Sequence, residues 1–360
     1  MADLSPSSDK HARALRLWLL AVAAMIFATL VVGGATRLTE SGLSITEWKP
    51  VTGVLPPLTE QSWQAEFQKY QAIPQYKELN RGMSLGQFKV IFWWEWAHRL
   101  LARSTGAVFL APFIFFLWRG WVPKRLRVRL WTIFGAGAAL GAVGWWMVSS
   151  GLAGSDRVSV SQYRLAFHLT LATAIYAAVL WTAQQLTPQR TQGAPPRLRV
   201  GALVVAVLVL LQIYLGALVA GTNAGLAYNT WPLIDGAFIP APDHLWFLTP
   251  AWRNFFENTL TVQFDHRMIA YAIFLAALFH LNDAWRARYE VRGALILAGM
   301  VLLQAALGIV TLLQQAPLPL ALTHQLVAIL VFTVAILHAE RLWHRESLAA
   351  YQPAAVGAHP

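Results

Sequence analysis

Apolar residues fall in eight long blocks along the chain, roughly 15–36, 92–118, 130–150, 163–186, 198–221, 264–285, 293–314 and 320–343. Each block is long enough for a helix to cross a hydrocarbon layer of about 30 Å. The first, Leu17 to Ala35, follows Lys10, Arg13 and Arg16 in the manner of a secretory leader. Its length predicts an uncleaved first span instead. The intervening polar segments alternate in charge. One set holds Lys10, Arg13, Arg16, Arg119, Lys124, Arg125, Arg127, Arg129, Arg190, Arg197, Arg199, Arg286, Arg288, Arg292, Arg341 and Arg345, which is 16 of the 28 basic residues. The positive-inside rule makes that side cytoplasmic and puts both termini there. The other set includes two long outer segments, 37–91 and 222–263. In the first of these, Trp63, Phe67 and Tyr70 recur at helical spacing. They predict an amphipathic helix over 59–72, lying on the membrane or capping a site. Ser84 followed by Gln87 reads as a capping box before the second span.

Composition sharpens this picture. Hydrophobic residues make up 57% of the chain and charged residues 12%, against about 25% charged in a soluble domain. A soluble all-α protein is excluded. Many of the 17 Trp lie near block ends, as interfacial belts require. The net charge of +11 is an orientation signal once the basic residues are placed, so nucleic acid is discarded as a partner. Cysteine is absent, which removes disulfides, thiolate ligands and a thiol nucleophile.

The chain also repeats itself. Thr39-Glu-Ser-Gly42-Leu43, with Trp48 and Gly53, matches Thr222-Asn-Ala-Gly225-Leu226, with Trp231 and Gly236, 183 residues later. His98-Arg99 matches His266-Arg267, Leu140-Gly141 matches Leu307-Gly308, and His168 matches His324. Four spans per half give both copies the same orientation, so the repeat is parallel. The expected fold is an all-α polytopic membrane protein whose eight transmembrane helices form two pseudo-twofold-related four-helix bundles. Residues 1–190 form the first half and 191–345 the second, with 346–360 a cytoplasmic tail.

Four histidines, His98, His168, His266 and His324, begin even-numbered spans near the outer face. Facing imidazoles between helices suit bis-axial haem ligation, and ionisable groups inside a membrane are functional candidates. A hydrogen-bonded interfacial histidine is the plain reading for any one of them, and recurrence at four matched positions argues against it. Zinc would want more ligands close together. Arg37, Arg99, Arg164 and Arg267 are propionate candidates, with snorkelling as their plain role. His280 and His338 each follow a matched histidine by 14 residues, about 21 Å along the same helix face. They raise a second haem on the cytoplasmic side, or two polar residues at the headgroups. Glu95, three residues before His98, has Gln263 as its counterpart. A carboxylate there can carry protons or stabilise positive charge, or simply orient a neighbour. The asymmetry places chemistry in the first half and electron passage in the second. A b-type electron-transfer cytochrome without substrate turnover is the alternative. A transporter with parallel repeats would need matched Gly/Pro breaks at the midplane, which are not seen.

Several segments together resemble the heme A synthase family, in its cysteine-free proteobacterial and mitochondrial-type form. They are Gly33-Gly-Ala-Thr-Arg-Leu-Thr-Glu-Ser-Gly-Leu-Ser44, Trp48-Lys-Pro50 with Gly53 and Pro56-Pro57, Gly82-Met-Ser-Leu-Gly-Gln-Phe-Lys89, Phe92-Trp-Trp-Glu-Trp-Ala-His-Arg99, Asn229-Thr-Trp-Pro-Leu233 and Phe264-Asp-His-Arg267. The resemblance implies oxidation of the C8 methyl of haem O to a formyl group by successive hydroxylations, with water as oxygen source. It implies Glu95 as the catalytic carboxylate, His98 and His168 flanking substrate haem O, and His266 and His324 ligating a haem b cofactor. It implies a multi-pass protein of the inner (plasma) membrane with its haem sites toward the periplasm. The partners to look for are membrane lipid, an electron acceptor, haem O synthase by handover, and further copies of the chain.

Overall fold

The computed structural model describes residues 6–152, 154–187 and 193–343. Arg190, Arg345, the 190/191 boundary and the 346–360 tail lie outside the described residues. Eight helices among those described are long and apolar enough to cross a membrane. They are α1 (Pro6–Leu38), α2 (Leu85–Trp118), α3 (Lys124–Val148), α4 (Gln162–Gln184), α5 (Pro196–Thr222), α6 (Thr259–Ala287), α7 (Val291–Leu313) and α8 (Leu318–Trp343). The protein is a multi-pass membrane protein.

Several helices outrun their apolar blocks because local chemistry, not hydropathy, stops them. Ser84 and Gln87 form a reciprocal capping box that starts α2 at Leu85, seven residues before its apolar run. Asn258 caps α6 by accepting from the backbone N–H groups of Leu260 and Thr261. Asn223 ends α5 in the left-handed region at φ 55°, a conformation asparagine tolerates.

The packing joins α1 to α2 and α4, and α3 to α4, in the first half. In the second half, α5 packs on α6 and α8, and α7 packs on α6 and α8. Contact between α2 and α3 is sparse, whereas α6 and α7 pack extensively. The halves meet through α4 against α5 and α8, and through α1 against α8. At the last crossing Gln325 donates to the Leu30 carbonyl at 2.9 Å. A methyl at Gly34 would lie 1.8 Å from the Gln325 Oε1, so any larger residue there would turn the Gln325 amide aside. One apolar core, including Leu19, Phe113, Leu130, Val179, Val205 and Phe332, runs through both halves.

The outer segment 37–91 folds onto the outward extension of α2. The expected amphipathic helix spans Glu60–Gln71 and is capped reciprocally by Thr59 and Ser62. Its Trp63, Phe67 and Tyr70 pack on Phe88 and Phe92 of α2. The apolar face is therefore buried against protein and not against lipid. Tyr70 donates to Gln75 at 3.0 Å, and Gln75 donates to the Glu40 carbonyl at 3.1 Å, tying this cap to the end of α1.

Local details recur at the 183-residue spacing. Glu40 and Asn223 both take positive φ, at 54° and 55°. Thr39 and Thr222 both donate to the carbonyl four residues earlier at 2.8 Å. Arg37 donates to the carbonyl of Ala220, its own counterpart in that register, at 2.8 Å.

Candidate functional site

Each matched histidine faces a glycine on a neighbouring helix. His98 of α2 lies against Gly33 of α1, and His168 of α4 against Gly144 of α3. His266 of α6 lies against Gly216 of α5, and His324 of α8 against Gly308 of α7. A methyl on these glycines would stand 2.7, 3.0, 3.3 and 2.8 Å, in that order, from the Cε1 of the ring. At Gly33 and Gly308 a methyl would force the ring to move, and at Gly144 and Gly216 the ring would have to give by a few tenths of an ångström. The sequence match of Gly141 with Gly308 is therefore off by three residues. Gly141 meets nothing within 4 Å, and Gly144 is the residue that meets His168. Positions three apart share a helix face, so a Leu-Gly pair alone does not fix which glycine is used.

The pairs sit within their own halves. His98 and His168 are close enough to feel one another's charge, as are His266 and His324. The Nδ1 atoms of His98, His168 and His266 are buried without a protein partner. Paired imidazoles, orphaned ring nitrogens and a glycine behind each ring form a donor set that fits haem iron.

Glu95 is 2% exposed. Its carboxylate accepts from the Ser44 hydroxyl at 2.7 Å and the Ile45 backbone N–H at 2.8 Å. Arg99 donates to it from Nε at 3.1 Å and from a terminal nitrogen at 2.6 Å. The remaining guanidinium donors reach the carbonyls of Ile45 and Glu47. Glu95 thus pins the outer segment to α2 through two residues that no spacing argument could name. Gln263 is equally buried, but its Oε1 has no partner. Arg267 donates to the carbonyls of Tyr228 and Leu233, and Tyr228 is the 183-residue counterpart of Ile45. Both arginines therefore clamp outer loops in the same way.

Arg37 is spent in part on Ala220, and its Nε is buried without a partner. Arg164 lies one turn outward of His168, stacked on Trp146 with its guanidinium carbon 4.5 Å from the ring centre. It donates to the Trp146 carbonyl at 2.6 Å. With Arg157, Ser150, Ser155 and Ser161 it lines a polar cavity where α3 ends and α4 begins.

His280 and His338 also face glycines, Gly201 and Gly293, and also have unpartnered Nδ1 atoms, but their rings meet directly. They are 3% exposed and bonded to each other, with Nε2 to Nε2 at 2.8 Å. Two metal–imidazole bonds of about 2 Å each would need about 4 Å between these atoms. The pair is a buried hydrogen-bonded couple whose Nε2 atoms stand too close to admit iron between them.

Sequence reasoning missed two further polar residues. Gln212 of α5 and Gln304 of α7 each precede a site glycine by four residues and donate to the backbone carbonyl of the facing histidine. The signal was present, since both spans read Leu-Leu-Gln-x-x-Leu-Gly, at 210–216 and 302–308.

Eight spanning helices with histidine pairs set against glycines define a polytopic membrane protein equipped to hold haem. A sequence model described as cytochrome oxidase assembly protein matches residues 16–336. The chain is 57% identical over 358 residues to Heme A synthase of Bradyrhizobium diazoefficiens, covering 99% of this chain and 98% of the relative. It is 57% identical over 340 residues to Heme A synthase of Rhodopseudomonas palustris strain BisA53, covering 94% and 93%. It is 59% identical over 334 residues to that of strain BisB18, covering 93% and 92%. The chain belongs to the cytochrome oxidase assembly protein family.

Proposed function

We propose that the chain works as its relatives' name states and makes haem A, by oxidising the C8 methyl of haem O to a formyl group. The oxidation removes two electron pairs and takes its oxygen from water. The observation that carries the division of labour is the difference between the halves at one position: an ion-paired carboxylate at Glu95, an amide at Gln263.

On this reading His98 and His168 hold the substrate, and the glycines behind them let the rings turn toward it. Arg164 and Arg157 offer the outer polar cavity to the substrate's acid groups. Arg99 and Arg267 act as loop clamps, which is how their guanidinium donors are used. Glu95 acts as a fixed negative charge. Its four accepted hydrogen bonds hold the carboxylate in place to stabilise cationic charge that develops on the substrate as the methyl is oxidised. Water then captures that centre. His266 and His324 would hold haem b, which supplies a one-electron acceptor when bound. The two halves are read as parallel repeats related by an axis along the membrane normal. The basic loops support an inner-membrane placement with cytoplasmic termini and haem sites toward the periplasm.

A b-type electron-transfer cytochrome would need ligands at both faces of one half. The direct bond between His280 and His338 speaks against it. The test is pigment extraction from cells carrying Glu95→Gln, which copies the second half. The expected result is accumulated haem O with haem A reduced on the order of 100-fold. Unchanged haem A would refute the role.

A further inference from the structure

The second half carries two buried amides at its imidazoles that the first half lacks. Gln212 Nε2 donates to the His266 carbonyl at 2.9 Å and lies 3.3 Å from His266 Nε2. Gln304 Nε2 donates to the His324 carbonyl at 3.0 Å and lies 3.1 Å from His324 Nδ1. The carbonyl contacts fix which end of each amide is nitrogen. Both Oε1 atoms are therefore the free ends, and both are buried without a partner. An unspent acceptor beside an imidazole costs about 1–3 kcal/mol unless something satisfies it. The amide atom that faces each imidazole is the donor Nε2, and it is spent on the histidine's own carbonyl.

The first half has Thr29 and Leu140 at the corresponding places, four residues before Gly33 and Gly144. Thr29 turns its hydroxyl to the Met25 carbonyl at 2.8 Å. Leu140 has no hydrogen-bonding group. The first-half imidazoles therefore receive no side-chain amide, while the second-half imidazoles receive one each.

We infer that Gln212 and Gln304 are positioning residues that make the second half a retaining site for haem b, each anchoring its histidine from the neighbouring helix through that histidine's main-chain carbonyl. Such an anchor fixes the position of a ligating imidazole, and loss of a supporting contact outside the ligands typically costs about 10–100-fold in metal affinity. At His98 the ring instead has a main-chain partner in Thr29, and the lack of a side-chain amide anchor at His98 and His168 suits a site that must release its haem after every turnover. The inference rests on the reading that His266 and His324 ligate haem b.

The test uses the full-length protein purified in detergent, with haem b measured by absorption and by its low-spin electron paramagnetic resonance signal. Gln212→Thr with Gln304→Leu installs the residues of the first half. Gln212→Met with Gln304→Met keeps side-chain length and removes only the amide. Both double variants are expected to lose haem b to a haem-scavenging protein about tenfold faster than the unaltered protein. Their low-spin resonance signal is expected to broaden as the ligand rings lose their anchored orientation. Leu140→Gln is expected to leave haem b retention unchanged. If the methionine variant keeps its haem b with unaltered release rate and resonance signal, the inference is overturned. His266→Ala separates the levels: loss of haem b supports the ligand reading, and retention overturns that reading together with the inference built on it.

Discussion

Glu95 shows how much one side chain can be asked to do. It is an i,i+4 partner of Arg99, which is 15% exposed as a side chain against 3% for Glu95. Removing one member of a buried pair leaves an uncompensated charge and costs about 3–5 kcal/mol. Arg99→Ala is therefore expected to lower thermal stability in detergent far more than Lys49→Ala, whose partners Glu47 and Glu66 lie at an exposed network worth about 0–1 kcal/mol. Equal melting shifts would contradict this. The presence of Glu95 near His98 was legible in the sequence. Its partners Ser44 and Ile45 were not, because they arrive from a loop whose path is set by Tyr70, Gln75 and Phe88 and not by local spacing. A pH effect belongs to the second outer loop. Asp235 accepts from His244 at 2.9 Å and holds its pKa above the ordinary value. The bond's contribution is complete below about pH 6.5 and fades as pH rises through the raised value. Hydrogen exchange across 234–245, corrected for intrinsic rate, is expected to be slower at pH 6 than at pH 8. Asp235→Asn is expected to erase that difference.

At the scale of the helices, the eight spans and the Ser84–Gln87 capping box could be read from the chain because hydropathy and cap chemistry are local, whereas the box at Thr59 and Ser62, with serine in place of Glu or Gln, was not. The capping box at Thr59 and Ser62 is expected to contribute about 1 kcal/mol, so Thr59→Ala should lower the melting temperature measurably while leaving haem content intact. What hydropathy could not decide was helix rotation. Gly141 and Gly144 are equivalent to a window count, yet only Gly144 meets an imidazole. Gly144→Leu is expected to abolish haem A formation by displacing His168, and Gly141→Leu is expected to be silent in the same pigment assay. The opposite order would place a different face of α3 against the site. The glutamines of α5 and α7 were visible as polar residues in apolar runs, but their targets depend on the rotation of two helices each.

At the scale of the whole molecule, the chain builds similar halves and treats them differently. The same loop clamp appears at Arg99 and Arg267, and the same left-handed turn at Glu40 and Asn223. The differences gather around the imidazoles: Glu95 against Gln263, Thr29 and Leu140 against Gln212 and Gln304. The helices of the second half pack more closely around their histidines, with α6 on α7, than α2 and α3 do in the first. This contrast was only half legible, since the repeat shows in matched motifs while the packing depends on contacts between distant segments. Its consequence is that removing a ligand in one half should cost that half's haem and spare the other. The most direct measurement is chromatography of haems extracted from purified His98→Ala and His266→Ala proteins, made in cells that supply haem O. The account predicts that His98→Ala retains haem b but no haem O or haem A, and that His266→Ala loses haem b. Loss of the same pigment from both variants, or haem b persisting in His266→Ala, would contradict it.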